Sequence, residues 1–255
     1  MLFLAEKKVH PRGSIDALPG FGAFSDIWVM TVDGKKCFKI LDIVNDYDHG
    51  VIAARFSPDG KHIVWTDRVK RPNIFYPTRN FGYWNIKMAD FYFGEDSVPY
   101  ISNIHAVIKD DKSFYEEYGF SPDGKQIIFC SSFNQKSAWN QQIFVVDTSG
   151  NNVKQLTSGT DYNEHGAFTP DGKKILWMSN KDNKNKGTDW WMMNTESTNK
   201  KRITFLNDQE NKQYAGKAVW TGLGSFSPKG NKFAGGVQKS LITQEGKIVI
   251  VEIVW

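Results

Sequence analysis

"FSPDGK" spans Phe56–Lys61 and returns unchanged at Phe120–Lys125, with near-copies "FTPDGK" at Phe168–Lys173 and "FSPKGN" at Phe226–Asn231. Ser-Pro-Asp-Gly is a tight-turn sequence. Proline presets φ near −65° at the first turn position, Asp suits the second, and glycine takes the left-handed conformation that other residues resist. Each copy is followed by an apolar run of strand length: "KHIVWT" (61–66), "KQIIFC" (125–130), "KKILWM" (173–178) and the weaker "NKFAGGV" (231–237). The four phenylalanines are 64, 48 and 58 residues apart. That is the range of propeller blades whose loops vary in length.

The rest of a blade follows each copy. A second strand type reads "YWNIKMA" (83–89), "QIFVVD" (142–147), "DWWMMN" (189–194) and "KIVIVEI" (247–253), and outer strands read "PYISNI" (99–104), "VKQLT" (153–157) and "KRIT" (201–204). Without the turn phrase, "LFLAE" (2–6), "DIWVMTVDG" (26–34) and "CFKIL" (37–41) repeat the same grammar. The runs are short, apolar or alternating, and bounded by Gly, Asn, Asp or Pro. The expectation is a single all-β domain over residues 1–255: a β-propeller of five blade-like units with three or four antiparallel strands each. Counted outward from the channel, the chain opens on the second strand of a blade and closes on the third. It therefore reads either as a five-bladed ring with two thinned blades or as part of a six- or seven-bladed one.

Composition agrees with a globular β protein. Trp, Tyr and Phe number nine, nine and eighteen, which favours strands. A net charge of +4 with no long basic block gives no nucleic-acid footprint, and Lys181 and Lys200–Arg202 read as solvated faces. Cys37 and Cys130 stand far apart in no metal-binding pattern and read as ordinary thiols. No stretch has the ~18–20 apolar residues of a membrane span, and the apolar start lacks the features of a signal peptide. There is no GxSxG, phosphate-loop or HExxH motif.

The units, with "QIFVVDTSGNNVKQLTSGTDYNEHGAFTPDGKKILWMSN" (142–180) the cleanest, resemble the WD-repeat-like units of TolB-type β-propellers. Similar units form the propellers of prolyl-oligopeptidase-like peptidases and of oligogalacturonate lyases. The resemblance implies a binding scaffold for a protein partner or polysaccharide in a periplasmic or secreted setting. It also leaves two alternatives. One is a metal-assisted lyase or hydrolase acting on acidic sugars. The other is the propeller part of a longer peptidase-like protein.

The turn phrases mark the plain end of the propeller, so the long loops gather at the other end, where binding residues tend to collect. There "NDYDHG" (45–50), "FYEEYG" (114–119) and "DYNEHG" (161–166) lead into the inner strands. They bring His49, Glu116, Glu117, Glu164 and His165 towards a channel mouth. Histidines and carboxylates together could hold a divalent metal, with His49, Glu117, Glu164 and His165 as candidate ligands, or act as an acid/base pair. The loop "DRVKRPNIFYPTRNFGYW" (67–84) interleaves basic and aromatic residues. Its Arg71, Tyr76, Arg79 and Trp84, with Trp220 from a later loop, are candidate ligand contacts.

Overall fold

The computed structural model describes residues 1–8, 21–71, 82–110, 113–183, 186–239 and 245–253. Within them every regular element is a strand, and five antiparallel sheets follow one another along the chain as the blades of a five-bladed β-propeller. The first holds β1 (Leu2–Glu6), β2 (Ser25–Met30) and β3 (Cys37–Leu41). The second holds β4 (Gly50–Phe56), β5 (His62–Lys70), β6 (Tyr83–Phe93) and β7 (Pro99–Ile108). The third holds β8 (Tyr115–Phe120), β9 (Gln126–Ser131), β10 (Gln142–Asp147) and β11 (Lys154–Gln155). The fourth holds β12 (Asn163–Phe168), β13 (Lys174–Ser179), β14 (Asp189–Asn194) and β15 (Lys201–Arg202). The fifth holds β16 (Trp220–Phe226), β17 (Lys232–Gln238) and β18 (Gly246–Glu252). The second sheet is longer than its sequence suggested, since β6 runs on to Phe93 and β7 to Ile108.

The repeated phrase is architecture. In the first copy the Ser57 hydroxyl donates to Asp59 Oδ1 at 2.6 Å, the same oxygen accepts the Lys61 amide at 3.0 Å, and Gly60 sits at φ +70°. Ser121/Asp123 and Thr169/Asp171 repeat this contact at 2.6 Å. Where Lys229 replaces the aspartate, Ser227 donates instead to Asn231 Oδ1 at 3.3 Å. The turns also touch. A side chain on Gly124, Gly172 or Gly230 would meet the proline of the preceding copy (Pro58, Pro122 or Pro170), so successive copies stack around the axis.

Three apolar clusters fill the spaces between sheets. Ile27, Val29, Ile63 and Trp65 lie between the first and second sheets. Trp84, Ile86, Ile128, Phe129 and Trp177 belong to a larger cluster through the second, third and fourth. Leu176, Met178, Trp190 and Phe233 join the fourth to the fifth. Burying a large side chain of this kind contributes about 1.5–3 kcal/mol. One of the two glycines that weaken the apolar pattern of β17 has a packing reason: Trp190 lies on Gly235 so closely that a Cβ there would overlap the indole. Each sheet packs on the next, but among the described residues no comparable packing joins the fifth sheet to the first. Ile248 and Ile250 of β18 remain exposed.

Candidate functional site

The inner strands β4, β8, β12 and β16 all break register just before the turn-phrase phenylalanine: at Ile52/Ala54, Glu117/Gly119, Glu164/Ala167 and Thr221/Gly224. Such bulges bend a strand and re-aim its side chains. They leave Ala53 at φ +48° and His165 at φ +54°, left-handed values that non-glycine residues adopt at a cost.

At this level two neighbouring blades share a polar cluster. Glu116 pairs in register with Cys130 across β8 and β9, and Glu164 approaches from β12. One donor atom from each of Glu116, Cys130 and Glu164 lies within 4.8 Å of the other two. The Tyr118 hydroxyl is 2.9 Å from Cys130 Sγ and 3.2 Å from Glu116 Oε2, so its single proton serves one neighbour while it accepts from the other. Tyr162 hydrogen-bonds the Glu164 carboxyl. Burial pushes the Glu164 carboxyl up to about 8, and the nearby Glu116 adds to this. Burial also takes Glu116, which keeps a little exposed surface, up to about 7 against the pull of Tyr118 and Arg55. The Cys130 thiol is pushed well up by burial and by both carboxyls. Taken alone, the cluster is a store of protons held between blades.

Glu117 lies outside that group. It is 0% exposed, its amide donates to Thr66 Oγ1 at 2.9 Å, and neither carboxylate oxygen has a hydrogen-bond partner of good geometry. Burial raises it to about 8, with the charge of Arg55 and the Gly119 amide opposing. His165 packs edge-on to Tyr118, with ring centroids 5.5 Å apart. Burial, followed by the Arg55 charge, lowers it to about 4, so it is neutral. The candidate metal set of His49, Glu117, Glu164 and His165 does not assemble: no three of these meet at ligand distance among the described residues. His49 is turned aside by Asp46, whose two carboxylate oxygens lie 3.0 and 2.9 Å from its Nδ1.

Aromatic residues occupy the loop-rich end in two places. Trp139, in the loop between β9 and β10, is 46% exposed and tilts against Tyr162 with centroids 5.9 Å apart. Tyr162 in turn meets the half-buried Trp220 edge-on at 6.2 Å. This ladder crosses from the third blade to the fifth. At the other side Arg71 lies over the exposed ring of Tyr47 at 5.3 Å. Below it the buried Arg68 fixes the 45–50 loop, donating to the carbonyls of Asp48, Tyr47 and His49.

Trp220 and Arg71 therefore lie where the sequence placed them, at the loop-rich end, whereas Trp84 does not. It is fully buried, edge-on to Phe114 at 5.9 Å and under the Arg68 guanidinium at 5.5 Å, so it is a core side chain and not a ligand platform. Tyr76 and Arg79 lie outside the described residues. The sequence reading missed the roles of Cys130, Tyr118, Tyr162, Tyr47 and Arg55. The "YEEYGF" spacing carried a signal for one of them, since Glu116 and Tyr118 alternate onto one strand face.

No family model matches the chain, and no curated protein matches it. Among solved structures it is similar to a TolB-assigned protein from Agrobacterium tumefaciens (TM-score 0.62, 17% identity, covering 89% of this chain and 70% of that one). It is also similar to TolB from Acinetobacter baumannii (TM-score 0.60, 19% identity, covering 91% of this chain and 47% of that one). An oligogalacturonate lyase in complex with manganese superposes less well, with a TM-score of 0.54 at 9% identity, covering 84% of this chain and 53% of that one. This chain spans about half the length of the latter two. At these identities the likeness is one of fold, and the chain has the fold of a TolB-like β-propeller.

Proposed function

We propose that this propeller is a binding scaffold that holds a polysaccharide or a protein partner across its loop-rich end, in a periplasmic or secreted setting like that of the TolB proteins it resembles. The observation that carries the reading is the ladder Trp139–Tyr162–Trp220. Trp139 presents nearly half its surface to solvent while Tyr162 and Trp220 back it from behind. A rigid aromatic face of this kind gives large contact area at low entropic cost. The Tyr47–Arg71 pair offers a second contact on the same end. Titration with neutral and acidic oligosaccharides, followed by tryptophan fluorescence, tests the polysaccharide arm, and Trp139→Ala should abolish the response. For a protein partner, a photo-crosslinker at position 139 should trap it while one on the turn-phrase end should not. Equal trapping at both ends, or binding unchanged in both Trp139→Ala and Tyr47→Ala, rejects the reading.

One observation favours a second reading, in which the chain is a carbohydrate-active enzyme. Glu116 has a carboxyl raised to about 7 and keeps some exposed surface, as a general acid at neutral pH requires. Turnover of an acidic oligosaccharide that disappears in both Glu116→Gln and Glu164→Gln would establish it. Equal turnover in these variants would refute it.

A further inference from the structure

A small cleft of about 120 Å³ opens between the third and fourth blades, apart from the aromatic ladder. At about 30 Å³ per water it has room for some four oxygen atoms, the number in a tetrahedral oxyanion. Lys181, Lys200, Ser158, Asp161 and Trp191 line it. Lys181 Nζ lies over the Trp191 ring at 5.3 Å. Among the described residues neither lysine is in an ion pair. Partial burial and the charge of Lys181 lower the pKa of the largely exposed Lys200, the imbalance that an anion between the two would relieve. Trp191 is 5% exposed and, among the described residues, its indole Nε1 has no acceptor. The Thr157 hydroxyl at the rim is already committed, donating to Gln142 Oε1 and accepting the Ile143 amide, each at 2.8 Å.

Two ammonium groups and one carboxylate leave the cleft net positive, but the carboxylate restricts which anion fits. A fully deprotonated tetrahedral anion such as sulfate meets Asp161 with lone pairs only. A monohydrogen phosphate carries an O–H that the Asp161 carboxylate can accept, turning a repulsion into a charge-assisted hydrogen bond. We infer that this inter-blade cleft is a phosphate site, in which Lys181 and Lys200 neutralise the anion and Asp161 selects its protonated form, whether free or as a phosphomonoester. The inference does not rest on the aromatic ladder.

Isothermal titration of the whole chain at pH 6, where about half of a phosphomonoester still carries its acid O–H, with inorganic phosphate, inorganic sulfate and glucose 6-phosphate tests it. Phosphate should bind and sulfate should bind markedly more weakly. Lys181→Gln and Lys200→Gln should each weaken phosphate by roughly tenfold, the scale of one charge-assisted hydrogen bond. Asp161→Asn should remove the discrimination by admitting sulfate. Because both lysines are exposed, the variants should melt like the parent without phosphate. Tighter binding of the sugar phosphate would assign the site to a phosphomonoester, and tighter binding of inorganic phosphate to the free anion. No heat with either, sulfate bound as well as phosphate by the parent, or lysine variants that bind phosphate unchanged would overturn the proposal.

Discussion

Replacing Glu117 with glutamine should change how the stability of the protein depends on pH. Glu117 is fully buried, among the described residues neither of its oxygens has a hydrogen-bond partner of good geometry, and its carboxyl is raised from 4.5 to about 8. Between those values the native state holds a proton that the unfolded chain has released. Stability therefore falls as pH rises: the contribution is complete below the unfolded value of 4.5 and is lost as pH passes the folded value of about 8. A gap of about three and a half pH units at 1.36 kcal/mol each sets a ceiling of roughly 5 kcal/mol. Water penetration and relaxation around the ionised group would reduce it. Against a total stability of about 5–15 kcal/mol this is a large effect. Glutamine has the same shape and cannot ionise. At pH 5 the variant should unfold in urea near the parent midpoint, and at pH 9 it should be the more stable by several kcal/mol. Urea titrations at pH 5, 7 and 9, followed by tryptophan fluorescence, measure the difference. Parallel pH curves for the two proteins would refute the argument. A variant weakened at pH 9 would instead show that Arg55 holds Glu117 ionised.

His165 acts in the opposite direction: its pKa is lowered from 6.5 to about 4, so stability falls as pH drops from 6.5 towards 4, and His165→Asn should flatten that acid limb in urea titrations. Asp189 is a buried acceptor for Arg202 Nη2 at 2.7 Å, Thr204 Oγ1 at 2.8 Å and the Leu206 amide at 2.7 Å. Asp189→Ala should cost about 3–5 kcal/mol by leaving a buried guanidinium unpaired, which thermal unfolding would read as a large drop in Tm. Lys229→Asp would give the fourth turn the hydroxyl–carboxylate contact of the other three. It should add up to about 1 kcal/mol in the same assay.

The fold was legible because its signal is local. A Ser or Thr hydroxyl, an Asp two residues on and a left-handed glycine specify each turn without help from the rest of the chain, and the apolar runs behind them have no other use. The site was legible only in part, because it depends on register and on neighbouring blades. Glu116 and Glu117 are adjacent in sequence, yet one meets Cys130 and Glu164 while the other is buried apart. The bulges that set this leave no sequence mark. Trp84 was misread because it closes a loop rich in aromatic and basic residues. The alternation Trp84, Ile86, Met88, which belongs to β6, already placed it on a buried face. Cys130 read only as an ordinary thiol, and nothing near it in sequence announced the Glu164 that comes from another blade.

That no comparable packing joins the fifth sheet to the first among the described residues has a mechanical consequence. A closed ring must distort everywhere to open anywhere, whereas sheets joined only in series can come apart one junction at a time. Stability then accumulates by nearest-neighbour coupling, as in a linear repeat array. The third sheet, coupled on both sides through the largest apolar cluster, becomes the last to release its amide protons. Hydrogen exchange should grow faster outward from it in both directions, with β1 and β18 exchanging first. The most durable part of the described sheets is then the junction that carries Glu116, Cys130 and Glu164.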